Sequence, residues 1–123
     1  MAGVSLKAGL DGTALDRLAQ SLGPERFSNV MDEAVRSASD ACREIRERAA
    51  RGDLAGVAAA AQTVKPCVLD FGAERLAQRL DTLQVRARES QPGPWPEIGL
   101  VLVELGSFLD EVRRVRKAQA QSD

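Results

Sequence analysis

The chain has 123 residues, with 17 Lys and Arg against 18 Asp and Glu, two cysteines and no histidine. That length suits one domain, expected to span residues 1–123, and buries roughly two-thirds of the unfolded surface on folding. A net charge of −1 gives no bias towards nucleic acid or anionic membrane, no apolar run reaches the ~20 residues of a bilayer span, and without histidine there is neither the usual general base nor a plausible zinc set.

The composition, rich in Ala, Leu, Val, Arg and Glu with no Tyr, favours helix over sheet. Residues 1–9 read as a loose leader without the basic-then-apolar order of a signal peptide, so a cytoplasmic location is the default. Asp11 is a candidate N-cap for a first helix whose apolar face is Ala14, Leu15, Leu18, Ala19 and Leu22. Gly23 stops it, and Pro24 starts the next at a first-turn position. The second helix runs from Pro24 to about Ala50, with Phe27, Val30, Met31, Ala34, Val35, Ala38, Cys42, Ile45 and Ala49 at three- and four-residue steps. Glu44–Arg48 and Arg43–Glu47 are spaced for ion pairs on its outer face.

Arg51-Gly52 ends that helix and Asp53 caps the third, whose inner stripe is Leu54, Val57, Ala58, Ala61, Val64 and Val68. Gln62 lies about 100° around from Ala61, at the edge of the stripe, and Lys65 follows one turn along on the same side. Pro66 allows two readings, an early helix end or a reshaped outer face, because a proline inside a helix costs about 3 kcal/mol. After a break at Asp70-Phe71-Gly72, a fourth helix starts at Gly72 or Ala73 and uses Leu76, Ala77, Leu80, Leu83 and Ala87. Gln91-Pro92-Gly93-Pro94 reads as a turn. Pro94 and Pro96 both suit the first turn of a last helix carrying Ile98, Val101, Leu102, Leu105, Phe108, Leu109, Val112 and Val115. Arg113, Arg114, Arg116 and Lys117 read as favourable charge at its C-terminus, and residues 118–123 as a fraying tail. Cys42 and Cys67 read as small buried hydrophobes, with a disulfide between them left open.

Residues 60–77, AAQTVKPCVLDFGAERLA, resemble the signature of histidine-containing phosphotransfer (HPt) domains. That pattern is Ala-His-Thr-Leu-Lys-Gly-Ser, a few variable residues, then Gly-Ala at the next helix. Thr63, Val64, Lys65, Gly72 and Ala73 fit it. Gln62 stands where the family has its phospho-accepting histidine, and Pro66 where it has a glycine. Leu10-Asp11 and Leu15-Asp16-Arg17-Leu18 are a weaker match. The resemblance implies an all-α, antiparallel up-down four-helix bundle, and short connections between the long helices point the same way. It also implies a partner, either a response-regulator receiver domain or a histidine kinase.

In the family, an imidazole nitrogen carries the phosphoryl group and the lysine offsets its charge. Gln62 has no comparable lone pair, because its nitrogen is conjugated to the carbonyl, so this chain reads as a phosphotransfer-incompetent module acting as adaptor or inhibitor, not as an enzyme. It calls for no cofactor and no metal. The expected partner-binding residues are Ala58, Ala59, Gln62, Lys65, Pro66 and Phe71. Two alternatives stand beside this: a self-associating structural bundle, which exposed apolar residues on the last helix would favour, and a phosphotransfer protein whose histidine was replaced by Gln62.

Overall fold

The computed structural model describes residues 10, 12–89 and 93–122, the side chain of Ser122 excepted. All regular structure among them is helical: α1 (Gly12–Leu22), α2 (Pro24–Ala50), α3 (Leu54–Asp70), α4 (Glu74–Arg88) and α5 (Trp95–Ser122). The predicted leader, Asp11 and Gln91-Pro92 lie outside the described residues.

Helices α2 to α5 form a ring in which each packs on the next and α5 returns to α2, while α1 packs on α2. The predicted inner stripes fill its centre. Phe27, Met31, Ile45, Val57, Val64, Leu80, Leu83, Leu105 and Phe108 are all essentially inaccessible to solvent. Burial of large side chains from every helix is the main driving force for the fold.

Local chemistry sets the connections. Asp53 Oδ1 accepts from the Gly56 amide at 2.9 Å and Oδ2 accepts from Arg48 Nη1 at 3.0 Å, which caps α3 and ties it to the end of α2. A Cβ on Gly56 would collide with that carboxylate and lie 2.7 Å from Arg48 Cδ, so a side chain there would displace both partners of the cap. At the other end of α3, Gly72 takes φ +75°. The Gly72 amide donates to the Leu69 carbonyl and the Ala73 amide to the Val68 carbonyl, reversing the chain into α4.

Of the two readings of Pro66 the early helix end fails: α3 continues through it to Asp70, where the break was expected, because Val68 and Phe71 beyond it are buried and hold the last turn in place. Two expectations change. Helix α4 begins at Glu74, not Gly72 or Ala73. Helix α5 continues to Ser122, since Gln119 Nε2 donates to the Pro24 carbonyl at 3.2 Å and Gln119 Oε1 accepts from Ser28 Oγ at 3.1 Å. The basic cluster is therefore not at the helix end. Arg116 instead pairs with Asp32 of α2 at 3.1 Å, and Arg114 lies 3.6 Å from the buried Glu111. On α2, Arg43 pairs with Asp40 at 3.2 Å, while Arg48 lies 3.9 Å from Glu44.

Candidate functional site: the outer face of helix α3

Gln62 is exposed on the outer face of α3. Ala55, Ala59, Gln62, Pro66 and Leu69 recur at steps of four, three, four and three residues, so they share one side of the helix. All five are exposed, Leu69 to 44%. The stripe runs the length of α3 without a charge. Proline has no amide, so the carbonyl of Gln62 lacks the donor that residue 66 would otherwise supply.

Charges lie at both margins and are paired. On the α4 side, Lys65 Nζ donates to Asp81, 2.7 Å from Oδ1 and 2.9 Å from Oδ2. Lys65 is thus held sideways across the α3–α4 seam, not free in solvent. On the α2 side an open groove of about 370 Å³ runs past Ser37, Arg43, Ala59 and Thr63. Thr63 Oγ1 donates back to the Ala59 carbonyl at 2.9 Å. A neutral strip with polar margins has the composition of a protein-docking surface.

Two of the six expected contact residues are elsewhere. Ala58 is 2% exposed and faces the bundle interior, since it lies one residue, about 100°, from Ala59. Phe71 is 1% exposed, its ring meeting Phe108 edge-on at 5.8 Å. Both are core residues. Leu69 and Ala55 replace them at the surface. The signal for these two was present: α3 carries apolar residues on nearly every side, whereas a surface helix with one buried face carries polar residues opposite it.

Cys42 and Cys67 are free thiols. Burial pushes the Cys67 thiol up to about 11, helped by the nearby Asp70 and Glu33 carboxylates and opposed by a hydrogen bond from Ser37. Burial also raises Cys42, partly offset by Arg46. Both are protonated at neutral pH, so neither is poised as a nucleophile. Among the described residues no three potential metal ligands cluster, and no helix is long and apolar enough to cross a membrane.

No protein-family model and no curated protein matches the chain. Its fold is that of an HPt protein. The crystal structure of histidine-containing phosphotransfer protein B from Pseudomonas aeruginosa PAO1 superposes with a TM-score of 0.79, covering 89% of this chain and 96% of that one, at 20% sequence identity. At that identity the likeness establishes the architecture and not the activity.

Proposed function

We propose that this chain is a phosphotransfer-incompetent HPt-like module that docks a two-component signalling partner, a receiver domain or a histidine kinase, through the outer face of α3. The observation that carries this reading is the uncharged, exposed stripe from Ala55 to Leu69 centred on Gln62, on a bundle with the HPt fold. With no histidine in the chain, no phosphohistidine can form. A glutamine amide donates and accepts hydrogen bonds but lacks the nucleophilic ring nitrogen that makes imidazole a phosphoryl carrier near neutral pH. The capture of Lys65 by Asp81 fits such a role, since no developing phosphoryl charge calls on it. A chain that keeps the docking face and lacks the acceptor occupies a partner without draining its phosphoryl group. It acts as an adaptor or as a competitor of active phosphotransfer proteins.

Binding is tested by titrating candidate receiver and kinase domains against wild type, Ala59→Glu and Lys65→Glu. Both substitutions are at the surface, whereas Ala58→Glu would bury a charge in the core and confound the readout. Each is expected to weaken binding at least tenfold, because an uncompensated charge in a packed interface costs several kcal/mol. Incubation with the phosphorylated partner is expected to leave no acid-labile phosphate on the chain. Equal affinity of all three proteins for a verified partner excludes this face, and label mapped to residues 60–77 excludes phosphotransfer incompetence.

A further inference from the structure

We propose that the outer face of α3 selects the unphosphorylated form of a receiver-domain partner, and that Asp81 sets this preference by holding Lys65 away from the Gln62 stripe. The inference rests on the docking reading above and adds a rule for when docking occurs. Helix α3 carries two charged residues, Lys65 and Asp70. Its single cation is taken up by α4, with Lys65 Nζ 2.7 Å from Asp81 Oδ1 and 2.9 Å from Oδ2. On α2, Arg43 pairs with Asp40 beside the groove that runs past Ala59 and Thr63, Arg36 pairs with Glu33, and Arg48 pairs with Asp53. The positive end of the α3 dipole, where an anion is favoured, already holds the Asp53 carboxylate on the Gly56 amide. At the Leu69 end, Glu33 and Asp70 line the crevice beside Cys67 and add negative charge.

A phosphoryl group carries about two negative charges near neutral pH. Packed against Ala59, Gln62, Pro66 and Leu69, it would lose water and gain the Gln62 amide as a donor, with no countercharge. A desolvated charge without a partner weakens an interface. The same receiver surface without its phosphoryl group meets the neutral stripe at no such cost. The Lys65 and Asp81 side chains are 32% and 50% accessible, so their pairing does little for the stability of the fold. Its consequence is to cancel the one positive charge that α3 could offer across the interface. The module then competes for a receiver that awaits its phosphoryl group, and phosphorylation of the receiver releases it.

The test measures affinities of wild type, Asp81→Asn, and Asp81→Asn with Lys65→Met for candidate receiver domains. Each receiver is used untreated and loaded with beryllium fluoride, a stable mimic of the aspartyl phosphate. Wild type is expected to bind the untreated form about tenfold or more tightly than the loaded form. Asp81→Asn frees the ammonium and is expected to narrow that ratio about fivefold, an effect that shrinks with added salt. Adding Lys65→Met is expected to restore the wild-type ratio. A merely structural Asp81 would shift both affinities alike and leave the ratio unmoved. Equal binding of the two forms by wild type, tighter binding of the loaded form, or an unmoved ratio in Asp81→Asn overturns this inference and leaves the docking reading standing. Binding of neither form by any variant sinks both.

Discussion

Gln62 and Pro66 are one turn apart on α3, and their effects are coupled. Replacing Gln62 by histidine supplies a nucleophile but leaves the carbonyl of residue 62 without its helical donor and the pyrrolidine ring beside the new imidazole. Phosphoryl transfer depends on positioning, and a displacement of about 1 Å can cost on the order of a hundredfold in rate. Gln62→His with Pro66→Gly is therefore expected to be phosphorylated faster by a binding receiver than Gln62→His alone. Equal rates would show that Pro66 is compatible with transfer. Cys67 offers a second test at this scale. Its folded thiol lies near 11, above the ordinary value of 9.0, so the unfolded chain loses this proton first as pH rises. The stabilisation is present below the ordinary thiol value and is lost progressively as pH climbs towards 11. Cys67→Ala is expected to flatten that alkaline decline in denaturant-unfolding free energy. Alkylation of wild-type Cys67 is expected to be slower than that of a free thiol at mildly alkaline pH.

At the scale of one helix, α3 shows what a linear pattern conveys and what it leaves open. Its start was legible because Asp53 carries its own capping oxygen, and its inner stripe because Val57, Ala61, Val64 and Val68 repeat at helical steps. Its end was legible as the break at Asp70-Phe71-Gly72, but whether Pro66 cut it short was not, because Pro66 disfavours a helix locally while Val68 and Phe71, buried against the rest of the bundle, hold the last turn helical. Burial of two large side chains outweighs one absent hydrogen bond. The same competition misplaced the candidate site. Phe71 reads as an exposed aromatic beside a turn until Phe108, distant in sequence, meets its ring. Ala58 and Ala59 are adjacent in sequence, but the turn of about 100° between them puts the first in the core and the second at the surface. If α3 carries a local cost at Pro66, Pro66→Ala restores the amide to the Gln62 carbonyl and is expected to raise the unfolding free energy by about 1–3 kcal/mol. Chemical denaturation with an unchanged m-value measures this. A destabilised variant would show that the proline ring makes contacts worth more than the hydrogen bond it removes.

For the whole molecule, the ring of four helices was legible because amphipathic stripes joined by short turns admit few packings. What closes the ring was not legible, because closure uses contacts between residues some ninety positions apart. The α4–α5 seam carries Arg79–Glu104 at 2.8 Å and Arg86 3.4 Å from Glu97, steps of seven residues on each antiparallel helix, although Arg86 Nε is not aligned to donate. The α2–α5 seam is fastened at its far end by Arg116–Asp32 and by Gln119, which bonds both Ser28 and the Pro24 carbonyl. Surface ion pairs contribute little individually. Gln119 differs in supplying a donor to a carbonyl of α2's first turn and an acceptor to Ser28 at once. Gln119→Ala is expected to lower the denaturation midpoint by an amount equivalent to about 1 kcal/mol and to speed amide exchange in the last turns of α5. Gln121, exposed one turn-half further on, is the control, and Gln121→Ala should leave both readouts unchanged. If the two variants behave alike, the last turns of α5 fray as the polar tail suggests, and Arg116–Asp32 becomes the outermost contact that closes the bundle.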